Sequence, residues 1–387
     1  MFLSTSLVCR RLLPPSLFLR ALALAGGLAL AGCGPYGLSR SGGETPGAAA
    51  PEIAGALAGA TLGSGATRIA LIVPLSQSDG SSLVGQSLRN AAELALSEVG
   101  ESAVTILVKD DQSSPDGARL AAQAAIEEGA QIIIGPLYAN NVREVGRLAR
   151  AAQKPVIAFS TDTTASARGV YLLSFLVESY VDRIVDFAAA RGKKSFAALI
   201  PENDYGNVAA AQFQQTAAAR GVRVLSIERY APGGALAATQ RIAALGAQID
   251  ALFIPEQADQ MAGVAQALTS AGIDGKRIQI LGTGLWNDAR VLRLPKMQGA
   301  WFAAPDNSGF NSFAAKYRAK FNSDPTRIAT LAYDAISLAA ALGGQGLGFG
   351  ESVLTNSSGF NGADGLFRFR ADGQNERGLS VLQVREG

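Results

Sequence analysis

Histidine is absent from all 387 residues. That excludes Ser-His-Asp and Cys-His hydrolysis, His-ligated zinc and imidazole proton shuttling. Cysteine is nearly absent, with only Cys9 and Cys33. Charge is sparse and balanced: 17% of residues are charged, with 34 Lys plus Arg against 32 Asp plus Glu, a net of +2. A nucleic-acid footprint needs a basic excess that this chain does not have. No apolar run reaches the roughly 20 residues of a transmembrane helix. What is plentiful is apolar surface, 48% of residues, enough for a sizeable core and against global disorder. The length fits two domains, or one large α/β body built in two lobes. Together the absences disfavour an enzyme and imply no cofactor.

The first 32 residues hold three charges, Arg10, Arg11 and Arg20, all positive. Without them the chain has 31 cations against 32 acids, a balance of −1. Ala21 to Leu30 is a short apolar run, and Ala31 and Gly32 precede Cys33. A charged start, an apolar stretch and small residues before a cut form the secretory signal pattern. Leu30-Ala31-Gly32-Cys33 also resembles the bacterial lipobox, in which the Cys is acylated and becomes the new N-terminus. The competing reading is an ordinary cleaved signal with Cys33 incidental. On the lipobox reading residues 1–32 are the signal, and Cys9 leaves with it. The mature chain then has no internal disulfide despite its oxidising compartment. Acyl chains on Cys33 tether it to a membrane surface in the periplasm. Gly34 after the Cys resembles outer-membrane sorting in enteric bacteria. Residues 33–66 are rich in Gly, Ala, Ser and Pro without a helix or strand period, and read as a flexible linker.

From Arg68 a regular alternation begins. Ile69–Val73, Val104–Val108, Gln131–Ile134 and Pro155–Phe159 are apolar on both faces, as strands of a covered parallel sheet are. Between them lie helical stripes at Leu83–Val99, Pro115–Glu128 and Asn140–Ala152. Ser114 is placed to cap the second of these, with Pro115 in the first turn. After Tyr171–Phe175 the pattern restarts. Strands are expected at Ser195–Ile200, Val222–Ile227, Ala251–Ile254 and Ile278–Leu281. Helices are expected at Tyr180–Ala190, Asn207–Ala219, Leu236–Leu245 and Asp259–Ala271. Two more helices, near Phe313–Phe321 and Ile328–Leu342, and a hairpin complete the chain. The fold class is therefore α/β, two doubly wound parallel-sheet lobes, with ligands expected beyond the carboxyl ends of the strands.

Several motifs fail. Gly282-Thr283-Gly284 lacks a further spaced glycine and no Walker Gly-Lys-Ser/Thr is present. Asp110, Asp111 and Asp116 have the wrong spacing for a calcium loop, and Pro115 interrupts them. Asn356-Ser357-Ser358 fits a glycosylation sequon, which carries little weight in a bacterial lipoprotein.

Other stretches carry a family resemblance. Lys109-Asp110-Asp111-Gln112-Ser113-Ser114-Pro115-Asp116, Ile134-Gly135-Pro136 and Pro155-Val156-Ile157-Ala158-Phe159-Ser160-Thr161 resemble type I periplasmic binding proteins of the leucine/isoleucine/valine-binding family. So do Ile200-Pro201-Glu202-Asn203-Asp204-Tyr205-Gly206, Ala332-Tyr333-Asp334-Ala335 and Gly359-Phe360-Asn361-Gly362-Ala363-Asp364-Gly365. Leu285-Trp286-Asn287-Asp288 and Gly365 to Arg370 look most like the lipoproteins called penicillin-binding protein activators. The resemblance implies three chain crossings, a hinge between lobes. Lobe one is then about 67–176 plus 304–351, and lobe two about 177–303 plus 352–387.

It also implies site residues. Ser160, Thr161 and Thr163 follow a strand where relatives bind an α-carboxylate; a Ser/Thr turn capping a helix is the plainer alternative. Tyr138 stands where relatives place a small hydroxyl shortly after Gly-Pro. Tyr205 corresponds to a residue that closes over the ligand. Glu256 lies where relatives place groups near the ligand ammonium. Trp286 is a candidate apolar wall of the cleft, and Ser81 or Ser82 a candidate on the loop after the first strand. For Tyr205, Glu256 and Trp286 the alternatives are ordinary packing or an exposed loop position. Two functions follow. One is a non-enzymatic, membrane-anchored lipoprotein that captures a small solute, an amino acid or related carboxylate, for an ABC permease. The other is a regulator of a peptidoglycan synthase acting through protein contacts. The cleft residues favour the first.

Overall fold

The computed structural model describes residues 59–385. The expected signal, Cys33 and most of the expected linker lie outside the described residues. In lobe one the strands are β1 (Thr61–Leu62), β2 (Thr67–Val73), a small hairpin β3–β4 (Ser76–Gln77 and Gly80–Ser81), β5 (Val104–Asp110), β6 (Ile132–Ile134), β7 (Val156–Ala158) and β8 (Val170–Leu172). Lobe two has β9 (Ser195–Pro201), β10 (Arg223–Tyr230), β11 (Ala251–Phe253), β12 (Gln279–Gly282) and β13 (Trp301–Ala304). A three-stranded sheet β14 (Phe360–Gly362), β15 (Gly365–Phe369) and β16 (Asn375–Arg377) follows, then β17 (Ser380–Gln383).

The large sheets are ordered β1-β5-β2-β6-β7-β8 and β10-β9-β11-β12-β13-β17. Their inner strands are parallel, and one antiparallel strand closes an edge of each, β1 on β5 and β17 on β13. Counted in chain order, the parallel strands of each lobe run 2-1-3-4-5. Both sheets therefore reverse direction between their first and third strands, at β2/β6 and at β9/β11. In open α/β sheets a crevice for ligands forms at that reversal, outside the carboxyl ends.

Helices cover both faces, as parallel strands apolar on both sides require. Three of them start in the same way. Ser82, Ser114 and Asn203 cap the helices Leu83–Val99, Pro115–Glu127 and Asp204–Ala219, each accepting a bond from the N–H of a glycine three residues on, Gly85, Gly117 and Gly206. The glycines let the helix seat against the end of a strand. A Cβ at Gly85 would lie 1.8 Å from the Pro74 carbonyl oxygen, and one at Gly206 would lie 2.1 Å from that of Pro201.

The boundaries differ from expectation at two places. The last part of the 33–66 segment, read as linker, belongs to lobe one from Ala60 on. Thr61 and Leu62 pair with Leu107 and Ile106, and Thr105 Oγ1 donates to the Gly65 carbonyl at 2.7 Å. Residues 352–377, assigned to lobe two, also pack on lobe one. Leu354, Phe367 and Phe369 are buried in the same core as Leu71, Leu88 and Tyr171, and Leu172 N–H bonds to the Gly373 carbonyl at 2.7 Å. Alternating Phe367 and Phe369 give β15 one buried face, and the nearest apolar surface belongs to lobe one. The chain still crosses three times, near 173–176, 305–306 and 378–379, so the last crossing comes about 27 residues later than the expected boundary at 351/352.

Candidate functional site

At matched register the two lobes end their second strands differently. Asp110 pairs with Val73 in lobe one, and Tyr230 pairs with Pro201 in lobe two. The Asp110 Oδ1 accepts from the N–H groups of Leu75 at 2.9 Å, Ser76 at 3.2 Å and Gln112 at 2.9 Å, and the Ser76 hydroxyl donates to Oδ2. The Ser113 hydroxyl adds a bond to the Ser76 carbonyl at 2.8 Å. The loop leaving β2 is thus tied down by the lobe's own carboxylate. Ser82, expected to face a ligand, is instead a buried cap, its Oγ accepting from Gly85 N–H at 3.2 Å because the helix start needs that acceptor. Ser81, half-buried, lies in β4.

Beyond β7 the expected hydroxyl cluster divides. Ser160 is buried and accepts from Asp162 N–H at 3.1 Å, the local turn bond of the plainer reading. Thr161 is exposed. Arg143 fixes the turn by donating to Asp162 at 2.8 Å and Thr164 at 2.7 Å. Bonds from Thr164 first, and then Arg143, hold the Asp162 carboxyl below its ordinary value. Thr163 starts a short 3-10 turn and its hydroxyl donates to Glu178 Oε1 at 3.0 Å. That bond crosses the lobes, because Glu178 is in the first turn of Val177–Ala190, which packs on lobe two. Glu178 Oε2 is buried without a partner.

Tyr205 meets this place from the other side. Its hydroxyl donates to Thr283 Oγ1 at 2.9 Å, and Thr283 is fully buried. Burial first, and then the neighbouring Tyr180 and Glu178 charges, hold the Tyr205 phenol above its ordinary range despite the Thr283 bond. Tyr180 lies against Gly284, where a Cβ would come within 2.5 Å of its ring, and burial pushes it up to about 12. Of the expected site residues, Thr163 bonds Glu178 and Tyr205 lies within reach of the Glu178 charge. Glu178, the partner of Thr163, and Thr283, the partner of Tyr205, were not expected. Glu178 reads in sequence as an ordinary acid at a helix start.

Tyr138 is 42% exposed at the start of Ala139–Ala151 and makes no side-chain cap. Trp286 is not a cleft wall. It is 0% exposed, and a Cβ at Gly282 would lie 2.3 Å from its ring. The missing side chain at Gly282 makes the slot that the indole fills, against Phe302 at 6.5 Å.

Glu256 is separated from Tyr205 by the sheet. Tyr205 packs with Phe196, Phe213 and Phe253 on one face; Tyr230 and the helices Ala235–Ala243 and Met261–Ser270 cover the other. Glu256, 3% exposed, accepts from the Tyr230 hydroxyl and from Gln257 N–H at 2.7 Å. Glu256 and Tyr230 line a pocket of about 340 Å3 at the ends of β9, β10 and β11. Burial, and then the Glu256 bond and charge, raise the Tyr230 phenol well above its ordinary range, so it stays the donor.

The crossings enclose a charged cluster. Arg377 lies over the rings of Phe175 at 4.7 Å and Phe367 at 5.5 Å, with Nε donating to the Ser174 carbonyl at 3.1 Å. Arg327 forks onto Asp364 at 2.6 and 2.9 Å. Burial pushes Asp334 up to about 6, against the Ala363 N–H bond and the Arg377 charge. Among the described residues no group of three His, Cys, Asp or Glu could hold a metal.

The model of the periplasmic binding protein family matches residues 66–387. The chain belongs to that family. A search of curated proteins by sequence gives no match. Solved structures share the fold at low identity. A putative branched-chain amino acid ABC transporter protein from Rhodospirillum rubrum matches with a TM-score of 0.74 at 20% identity, covering 83% of this chain and 98% of that one. A solute-binding protein from Rhodopseudomonas palustris BisB5, solved with 3,4-dihydroxybenzoic acid, matches at 0.58 and 23%, covering 83% and 93%. LivJ from Streptococcus pneumoniae, solved with isoleucine, matches at 0.57 and 19%, covering 82% and 95%. The type I architecture of this periplasmic binding protein is thus the one its motifs and alternation implied.

Proposed function

We propose that this periplasmic binding protein captures a small zwitterionic solute, an amino acid, between its lobes and presents it to an ABC permease. The observation that carries the reading is the inter-lobe contact of Thr163 with Glu178, whose second carboxylate oxygen is buried and unpartnered. A spare anionic acceptor suits a ligand ammonium, and a plain benzoate would be repelled there. Thr161, exposed beside the turn, and the N-terminal N–H groups of Ala139–Ala151 are the donors available to the ligand carboxylate. Tyr205, held in place by its bond to the buried Thr283, is the lobe-two wall. Three crossings give a hinge about which such lobes close on a ligand. Acylation of Cys33 belongs to this reading as the membrane tether. Regulation of a peptidoglycan synthase draws on a different observation, the exposed Leu83 and Tyr138 on lobe one.

A thermal-shift screen of the purified protein against leucine, isoleucine, other amino acids and hydroxybenzoates tests it. Ligand at about a hundred times Kd adds roughly 2.7 kcal/mol of stability. An amino acid is expected to raise the midpoint, and Glu178→Gln and Thr163→Ala to remove the shift. A shift from benzoates alone, unchanged in Glu178→Gln, overturns the zwitterion. No shift from any solute turns the search to a protein partner.

A further inference from the structure

We propose that lobe two holds a ligand site of its own, for a small primary ammonium with an apolar body, in the pocket at the β9/β11 reversal. Every residue lining it falls between Pro201 and Ser270, so it needs nothing from lobe one and no lobe closure. Its place is the crevice that a 2-1-3-4-5 sheet leaves outside its carboxyl ends. Its volume, about 340 Å3, is at the small end of ligand cavities, which run from about 300 to 1,000 Å3.

The chemistry of the lining selects the ligand. Pro232, Leu236, Val264 and Ala267 give apolar walls, and Leu236 remains 43% exposed at the pocket as if awaiting cover. Glu256 is the buried polar group, and Glu202 adds a second carboxylate; no lining residue is Lys or Arg. The partners of Glu256 among the described residues are two neutral donors, the Tyr230 hydroxyl and the Gln257 N–H. A carboxyl group has about four acceptor positions, of which these bonds use two. A buried carboxylate with only neutral partners carries a desolvation cost that a cation entering the pocket offsets. An ammonium supplies that charge and three donors, and an apolar body fills the walls. A metal ion is a poor fit, because two carboxylates without a third acid or His make an incomplete shell.

The site is independent of the inter-lobe reading, since Tyr205 and Glu178 lie on the opposite face of the sheet from Glu256. Calorimetric titration of the purified protein with phenethylammonium chloride tests it. Saturable one-to-one binding is expected, with phenethyl alcohol and 3-phenylpropionate at least about tenfold weaker, because only the amine carries the charge. Glu256→Gln should weaken the amine by about tenfold or more. Gly263→Leu serves where that variant fails to fold. A Cβ at Gly263 meets nothing within 4 Å, so a larger side chain occupies the pocket without a clash and should abolish binding. Glu178→Gln should leave the amine bound, whatever it does to amino acids. The proposal is overturned by no saturable heat at about 10 mM amine, by equal affinity in Glu256→Gln or Gly263→Leu, or by loss of binding in Glu178→Gln, which would move the ammonium to the cleft.

Discussion

At the carboxyl ends of its strands lobe one is closed by its own side chains, whereas lobe two is open. Asp110 binds three backbone N–H groups of its own lobe and holds down the loop after β2. Gly135, which follows β6, sits so close to β2 that a Cβ would lie 1.9 Å from the Ile72 carbonyl. In lobe two, Tyr230 takes the place of Asp110 and bonds Glu256 beside a cavity. One strand order thus supports two outcomes, and the difference lies in which partner the end-of-strand side chain finds. A carboxylate satisfied by its own backbone makes a rigid rim. A carboxylate satisfied by a phenol leaves room beside it.

The largest expected effects test whether the lobes share a helix seat. Gly85→Ala in lobe one and Gly206→Ala in lobe two each force a Cβ onto a strand-end carbonyl, and each should cost about 3 kcal/mol or more. Urea titration followed by far-UV circular dichroism measures both. Losses of similar size sharpen the repeat, and a tolerated alanine in either lobe breaks it. Next comes the rim itself. Asp110→Asn should cost about 2 kcal/mol, since several donors lose a charged acceptor, and Tyr230→Phe about 1 kcal/mol. The reverse order would mean that the rim of lobe one does not depend on Asp110. Both tryptophans, Trp286 and Trp301, lie in lobe two, so intrinsic fluorescence reports that lobe while dichroism reports both.

A pH series separates the lobes further. Burial raises Asp111 and Asp334, both in lobe one, to about 6 from 3.8. The folded state then holds more protons than the unfolded one between those values, so unfolding free energy falls as pH rises from about 4 to 6 and levels off above. The fall is at most about 3 kcal/mol for each group. Equilibrium unfolding at stepped pH checks it, and a rise over that interval would contradict the burial of these carboxyls. Gly263→Leu is the smallest effect, a gain within about 1 kcal/mol from helix propensity, measured by the same titration. A marked loss would show the pocket to be narrower than described.

Much of the architecture is legible in local patterns. The run Leu83–Val99 begins and ends where Ser82 and Gly100 stop it, and the apolar strands announce a covered parallel sheet. Lobe membership is less legible. Phe360, Phe367 and Phe369 show that a hairpin buries one face, but nothing local says which lobe receives it. The strand Trp301–Ala304 is too short to stand out, and it becomes a strand through pairing with Leu281 and Gln383. In the candidate site, Thr163 and Tyr205 were visible as polar residues after strands. Glu178 was hidden because an acid in a first helical turn needs no other explanation. Trp286 was misread because a glycine four residues earlier, not the indole itself, decides where the ring goes. Glu256 was expected near a ligand ammonium; the sheet that divides it from Tyr205 appears only once the strands are ordered.

The late return of the chain to lobe one has a consequence for how the protein is made. The helix Ala329–Gly344 and the strands β14 to β16 supply Leu331, Ala335, Phe367 and Phe369 to the core begun by β2 and Leu83–Val99. A ribosome delivers those pieces last. Until residue 369 or so has emerged, the nascent first lobe exposes an apolar face that no earlier segment can cover. The second lobe also waits for its edge strand, Ser380–Gln383. Neither lobe has its full core and sheet until residues 369 and 383 have joined it.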